Sequence, residues 1–467
     1  MRTVVLGAGP AGCAAALHLA RAGHDVTLVD RDDHPDTAVS AEQIFEAWTR
    51  PAIGQFRQPH NFLGRGRVIL RTQLPDVYAA LLATGAGEIR QDAFLGDAPR
   101  EPDDDELATI ACRRPVIDAA LRAAVATQSG VRFHAARVAG LQVHQGRGTP
   151  HVTGVRLASG GILGSDVVID ASGRNSAANR WMQEQGARAW PERTTDCKLL
   201  YYSRHYRCRA DPLPYASILG GPRGDVGYLG FAVFIGDNAT FCLCVMAPAW
   251  ENEWRDLREP TAFERVARQL PGVADWLDAA EPITSVLPMG QLRNTLRQMV
   301  ADDTPLVTGL IPIGDARCHT NPTFAFGLSL GLSQATALGP AIGSAADDSD
   351  LVLTMEAAVG GDAAARYEAV SAEDRDRIRL WSGELISPTN RLDSMPLFLR
   401  SVVYRVATQD PTLLRAVCRR INLLDPIDAL PSDQEMLDQA ETLFKQLPAS
   451  TPPPRRAMLA ALHDTAG

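Results

Sequence analysis

Arg2-Thr3-Val4-Val5-Leu6-Gly7-Ala8-Gly9-Pro10-Ala11-Gly12 opens the chain, an Ala- and Leu-rich run continues to about Arg21, and Val26-Thr27-Leu28-Val29-Asp30 completes the stretch that decides the fold. It reads as strand, glycine turn, helix and second strand ending in an acid. Gly7 makes the tight turn, Gly9 lets the backbone approach a pyrophosphate, and Gly12 lets helix and strand pack closely. The phosphate sits on unpaired amides at the helix start. Asp30 lies 23 positions after Gly7, where a carboxylate accepts hydrogen bonds from an adenosine ribose and disfavours a 2′-phosphate. The fingerprint alone suits FAD and NAD equally.

Composition narrows the choice. A chain of 467 residues exceeds one ordinary core of ~250–300 residues, so two or three packed units are expected. The 45% hydrophobic and 22% charged content excludes disorder and collagen-like repeats. A net charge of −9 makes nucleic acid an unsuitable partner. No apolar run reaches the ~20 residues that span a bilayer, and a strand begins at once with no signal segment before it, so a cytoplasmic location is expected. The eight cysteines form no CxxC pair and read as reduced thiols. Cys242 and Cys244 alternate in FCLCVM, which puts both on one strand face as core, and no spaced set of metal ligands accompanies them.

Two later stretches extend the pattern. Gly164 to Ser176 reads as a strand, Val167-Val168-Ile169-Asp170, running into the turn Ala171-Ser172-Gly173-Arg174-Asn175-Ser176. Leu310-Ile311-Pro312-Ile313-Gly314-Asp315-Ala316 is another strand, followed by a loop from Arg317 to Phe326 and a helix opened by Gly327.

With GAGPAG, DASGRNS and IGDARCHTNP in this order, the chain resembles the FAD-dependent monooxygenase superfamily built on the glutathione-reductase-type FAD fold. Phe56-Arg57-Gln58-Pro59-His60 through Leu81 and Asn422-Leu423-Leu424-Asp425 resemble its bacterial natural-product epoxidase branch. The resemblance implies an α/β fold: a Rossmann-like FAD-binding domain from residues 1–75, 105–176 and 290–345, interleaved with a β-rich substrate domain from 76–104 and 177–289, plus a helical C-terminal region, 346–467.

It also implies a set of cofactor-binding positions. Gly7, Gly9, Ala11, Gly12, Asp30 and Arg31, with Val138, hold the ADP half, and Arg114 stands near the pyrophosphate. Asp170 and Gly314 belong to the later motifs, and Asp315 binds the ribityl chain. Pro322 lies against the flavin ring, whose pyrimidine edge faces the amides around Gly327 and Leu328. A helix amino terminus suits that edge, because reduced flavin is negative near N1 and C2=O. Phe324 and Phe326 keep the site dry or serve as ordinary core. Arg113 and Arg114 suit either the cofactor or a solvated helix start. His319 is the candidate proton donor, a place a structural histidine fills equally well.

The chain departs from its relatives in several ways. Common hydroxylases carry adjacent Asp-Gly in the second motif, in contact with NAD(P)H; here Asp170-Ala171-Ser172-Gly173 intervenes, so electrons come from NAD(P)H or from a separate flavin reductase. A halogenase needs a lysine in the amino-terminal half and a WxWxIP motif. The only lysines are Lys198 and Lys445, and Trp250 and Trp254 stand in WENEW. The CxxxxC disulfide of the disulfide reductases is missing, with Cys13 alone in the first helix.

Between Cys197 and Leu287 short β-rich pieces follow one another: Leu199–Tyr202, Val226–Phe234 and Ala239–Val245. Tyr201, Tyr228, Phe231 and Phe241 are expected near the substrate pocket or in its core. From about Met355 the chain reads as helices, with apolar periodicity at Pro396–Val406 and Leu413–Ile421, serving as a buttress or as a wall of the substrate tunnel. The function expected is a monooxygenase inserting one oxygen of O₂, through a flavin C4a-hydroperoxide, into a hydrophobic secondary metabolite by epoxidation or hydroxylation. The alternatives are an FAD oxidase or dehydrogenase that takes hydride from a small molecule, and a non-catalytic FAD-fold binding protein.

Overall fold

The computed structural model describes residues 1–33, 39–145, 148–209, 217–448 and 451–464. The opening stretch folds as β1 (Arg2–Leu6), α1 (Pro10–Arg21) and β2 (Asp25–Asp30). Parallel pairing extends this unit with β3 (Val131–Ala135) beside β2, β4 (Val167–Asp170) beside β1, and the strand Leu310–Pro312 beside β4. The runs are short and apolar because both faces of the sheet are covered, as parallel sheets require. In register, Leu6 faces Asp170, Asp30 faces Ala135 and Asp170 faces Pro312. The three motifs therefore end at one carboxyl edge, where open parallel sheets bind ligands.

Helices pack on that sheet and on one another at its carboxyl edge. One is α1, and α2 (Arg114–Thr127) packs beside it. The helix after the third motif, α4 by chain order once α3 (Pro260–Ala267) is counted, spans Phe326–Ser344 and packs along α1. The approach is close: a Cβ on Gly331 or on Gly314 would lie 3.0 Å from that of Ala11. Gly7 has φ +92°, and a Cβ on Gly12 would stand 1.8 Å from the Gly7 carbonyl oxygen, so neither position admits a side chain.

The second sheet is antiparallel and centres on β5 (Leu199–Cys208) and β8 (Thr240–Pro248), flanked by β6 (Arg223–Asp225), β7 (Gly230–Ile235) and β9 (Ala280–Pro282). The piece read as one strand from Val226 to Phe234 is a hairpin arm instead. It turns at Gly227, φ +88°, whose amide bonds the Asp225 carboxylate at 2.7 Å.

Alternation decides what each face of this sheet does. Tyr201, Ala232, Phe234, Cys242, Cys244 and Met246 share one face. Tyr202, Tyr206, Phe231, Val233, Phe241 and Val245 share the other, packed on α3 and on α7 (Arg455–His463). The paired cysteines of FCLCVM thus sit in the core, as their spacing indicated. All eight cysteines are buried and unpaired.

Residues 76–104 do not join this sheet, although they were grouped with it on sequence. Gly87–Arg90 pairs antiparallel with Ala108–Ala111, a partner close in sequence and cheap to reach in loop-closure entropy. The following turn, with Leu95, packs on the C-terminal helices. Those helices begin with α5 (Asp348–Trp381) and continue through 395–409 to α6 (Pro411–Ile421). Among the described residues no helix is long and apolar enough to cross a membrane.

Candidate functional site

A cleft of about 620 Å³ runs along the carboxyl edge of the parallel sheet, within the ~300–1,000 Å³ usual for ligand sites. Gly7, Gly9, Ala11, Asp30, Arg31, Arg114, Val138, Gly314, Asp315, His319, Pro322, Phe326, Gly327 and Leu328 all line it. Gly12 and Asp170 do not. Gly12 seals the α1–β1 contact described above. Asp170 is fully buried and accepts from the Ser172 amide at 3.0 Å and the Ser172 and Ser176 hydroxyls at 2.5 Å. It holds the DASGRNS turn, whose residues Ala171–Asn175 face the cleft.

Two helices open into this cleft with bare ends. Gly9 caps α1 and Ala325 caps α4, in each case without a side-chain hydrogen bond to the first-turn amides. A Cβ on Gly9 would meet nothing nearer than Arg114 Nη2 at 3.9 Å, so the backbone there is open to a ligand. Unsatisfied amides and the helix dipole favour negative charge at both points. Gln55 Oε1 and Asn61 Oδ1, which also border the cleft, are buried acceptors with no partner. Two anion cradles and two free acceptors fit a dinucleotide whose flavin ring carries N–H donors.

The Asp30 end differs from the expected simple ribose acceptor. Asp30 Oδ2 accepts from the Ala8 amide at 2.6 Å and Arg50 at 2.7 Å, with Arg122 3.2 Å away, and Oδ1 accepts from the Asp32 amide at 2.8 Å. Burial favours the neutral acid, but these partners overcome it and hold the carboxyl below its usual range. Arg50 also reaches Asp32 and Asp118, both at 3.1 Å. Sequence reading missed Arg50, Asp118 and Arg122. Asp118 is one turn beyond Arg114, an i,i+4 signal that was there to find; Arg50 left none, standing in an irregular segment.

Arg113 and Arg114 are both buried, not solvated. Arg113 crosses to Asp237 beside the second sheet at 2.5 Å and stacks over Phe45 at 4.6 Å, fastening the two sheets. Arg114 donates to Asp118 at 2.5 Å and to His60 Nε2 at 3.1 Å, while His60 Nδ1 donates to the Gln58 carbonyl at 2.8 Å. A carbonyl only accepts and a guanidinium only donates, so these partners fix one neutral tautomer. Burial and then the Arg114 charge pull the His60 pKa down to about 4.

At the other end, His319 Nδ1 lies 3.2 Å from Asp315 Oδ2. Burial alone would raise the Asp315 carboxyl, but His319 and Arg114 hold it below the ordinary range. The Asn321-Pro322 turn beside it is anchored from below. Asp374 of α5 accepts from Asn321 Nδ2 at 2.6 Å, Asn294 Nδ2 at 2.9 Å and Arg377 at 2.9 Å. Tyr201 donates to Asn321 Oδ1 at 2.9 Å and also bonds Thr323. Of the aromatics expected at the pocket, Tyr201 therefore lies behind this turn. Phe326 lines the cleft with Phe324 packed on it at 5.5 Å. Tyr228, Phe231 and Phe241 belong to the opposite face of the sheet, one residue out of phase: Phe241 stacks on Tyr206 at 5.1 Å and Tyr228 bonds the Pro453 carbonyl.

Residues 2–94 match the family model FAD dependent oxidoreductase. The fold is similar to that of the flavin-dependent brominase Bmp2, at TM-score 0.61 and 16% identity over 95% of this chain and 98% of that one. It is also similar to the anhydrotetracycline hydroxylase OxyS of Streptomyces rimosus, at TM-score 0.57 and 17% identity over 91% and 76%. Protein Rv3254 of Mycobacterium tuberculosis is 24% identical over 92% of this chain and 91% of its own length.

Proposed function

We propose that this flavoprotein is a monooxygenase that delivers one oxygen atom of O₂ to an apolar organic substrate held against the second sheet. The observation that carries the reading is a juxtaposition: the bare amino terminus of α4, at Ala325–Leu328, lines the same cleft as the bare start of α1 at Gly9 and Ala11, with Asp315 and Pro322 between them. FAD, when bound, supplies the redox chemistry, since no side chain here carries electrons. The chain's own residues do the rest. Gly9 and Ala11 take the pyrophosphate at the start of α1, Asp315 accepts from the ribityl chain, and the amides of Gly327 and Leu328 meet the negative edge of the ring. Phe324 and Phe326 exclude water, which strengthens those amide contacts.

The substrate requires no strong base from this site. His60 is neutral but has both ring nitrogens engaged, His319 is held by Asp315 at 3.2 Å, and burial pushes the Cys318 thiol up to about 12. Oxygen transfer to an electron-rich alkene, which releases no proton, therefore suits the site better than phenol hydroxylation. Halogenation suits it poorly, because neither lysine borders the cleft and Lys198 is ion-paired to Asp196 at 3.3 Å. Electrons come from NAD(P)H or a flavin reductase partner.

The test is isotopic. FAD-loaded protein, reduced and supplied with ¹⁸O₂ and a panel of apolar alkenes and phenols, is expected to give a product heavier by one labelled oxygen. Substrate turnover that leaves no label in the product would instead identify a hydride-abstracting oxidase or dehydrogenase, and a protein that turns over nothing would fit a binding role.

A further inference from the structure

The long helix α5 carries Arg366, Val370 and Asp374 four residues apart, a spacing that puts all three on one stripe of the helix. Arg366 lies over the ring of Phe326, the first residue of α4, at 5.3 Å. Val370 shares a core cluster with Phe326 and Leu330. Asp374 completes the stripe at Asn321, where its carboxylate takes the side-chain amide at 2.6 Å. A helix from the C-terminal region thus supports the loop that leads from the third motif into α4.

Asp374, Asn294 and Asn321 are all buried, so their hydrogen bonds are obligatory. A carboxylate only accepts, whereas an asparagine offers an oxygen on one side and an NH₂ on the other. Asp374 Oδ1 takes Asn321 Nδ2 and Oδ2 takes Asn294 Nδ2 at 2.9 Å, which turns both amide oxygens away from the carboxylate. Those oxygens shape the loop. Asn294 Oδ1 accepts from the Asn321 amide at 2.7 Å, and Asn321 Oδ1 accepts from the Thr323 amide at 3.1 Å, the Thr323 hydroxyl at 2.8 Å and Tyr201 at 2.9 Å. One carboxylate therefore sets two amide orientations, and the two amides set the turn. With Arg377 also donating to Oδ1 at 2.9 Å, an asparagine at 374 would bring its own NH₂ against a donor whichever way it faced.

What the turn holds is a backbone conformation that needs holding. Ala325, the cap of α4, has φ +55°, and its amide bonds the Pro322 carbonyl at 3.0 Å. Left-handed backbone is unfavourable for alanine and persists where the surroundings over-determine it. The unsatisfied amides at the start of α4 follow directly, and Pro322, Ala325, Gly327 and Leu328 all line the cleft. The ADP end is built by other residues: Gly9 and Asp30 belong to the opening strand–helix–strand unit, and neither is a hydrogen-bond partner of Asp374.

We propose that Asp374 is a positioning residue for the flavin end of the cleft: through Asn294 and Asn321 it fixes the start of α4, so that affinity for the flavin half of the cofactor is set from the C-terminal helix and is separable from affinity for the ADP half. The proposal rests on the placement of the ring at the start of α4 given above. It does not depend on the oxygen chemistry.

The full-length protein, stripped of flavin, is titrated with FAD, read by flavin fluorescence, and with ADP, read by calorimetry. In Asp374→Asn the Kd for FAD is expected to rise tenfold or more while that for ADP stays within twofold. At saturating FAD the visible circular dichroism of the flavin is expected to change while the far-ultraviolet spectrum does not. An unchanged Kd for FAD, equal losses for FAD and ADP, or an unchanged flavin spectrum would overturn the proposal. Tyr201→Phe, which removes one donor to Asn321 and keeps the packing, serves if Asp374→Asn does not fold; a threefold or greater loss for FAD alone supports the proposal, and no loss or an equal loss for ADP overturns it. A wild-type protein that binds FAD no tighter than ADP would overturn the placement of the ring and the proposal with it, whereas an FAD preference that survives Asp374→Asn would overturn the proposal alone.

Discussion

Individual side chains in the cleft divide into those that meet a ligand and those that hold the first group in place. Asp315 is of the first kind: its carboxylate lines the cleft and is kept charged by His319. Asp315→Ala is expected to raise the Kd for FAD at least tenfold, ~1.4 kcal/mol, as measured by flavin fluorescence on dilution. Arg50 is of the second kind. Its removal takes from Asp30 and Asp118, both buried, the cation they share, and leaves Asp30 with Arg122 and Asp118 with Arg114. Arg50→Ala is expected to cost on the order of 1.5–3 kcal/mol in urea unfolding, whereas an exposed pair such as Arg2–Asp166 is expected to change stability by less than ~1 kcal/mol.

What was legible in the sequence at this scale follows from locality. Gly7, Gly9, Asp315 and Pro322 reach the cleft as expected because each sits within its own short motif at the edge of the parallel sheet. Arg50 and Asp374 reach their partners across long sequence separations, and a single arginine or aspartate in a polar stretch gives no sign of where it will point. Asp30 was assigned to the correct edge, but the two arginines that share its carboxylate changed its surroundings.

Secondary-structure elements were read well where a period ran long enough to be counted. The βαβ opening, the helix after the third motif and the alternation in FCLCVM all follow from spacing. The face of a strand is harder, because a shift of one residue exchanges inside for outside. Phe231 and Phe241 are the example: aromatic and buried as expected, but on the side of the sheet that packs against α3 and α7. Phe241→Ala is therefore expected to cost about 3–5 kcal/mol in stability and to leave FAD content unchanged, as read by urea unfolding and absorbance. A Phe241→Ala protein of normal stability would contradict the assignment of faces.

The whole molecule couples two sheets through buried polar contacts, and this makes it sensitive to acid. His205 on β5 is buried against the Arg57 carbonyl at 2.8 Å, and burial lowers its pKa from 6.5 to about 4. Between those values the unfolded chain binds a proton that the folded chain does not. Stability therefore falls as pH drops through about 6.5, and the loss is complete below about 4. His205→Gln is expected to remove that part of the pH dependence, on the order of 3 kcal/mol, in unfolding curves recorded across the window. A variant as acid-sensitive as the wild type would place the titrating group elsewhere.

The decisive quantity at the molecular scale is flavin stoichiometry. Protein incubated with excess FAD and passed through gel filtration is expected to retain one flavin per chain by absorbance, and a Gly9→Val variant, which fills the open cradle at the start of α1, is expected to retain almost none. A wild-type protein that emerges colourless, or a Gly9→Val variant as yellow as the parent, would contradict the account.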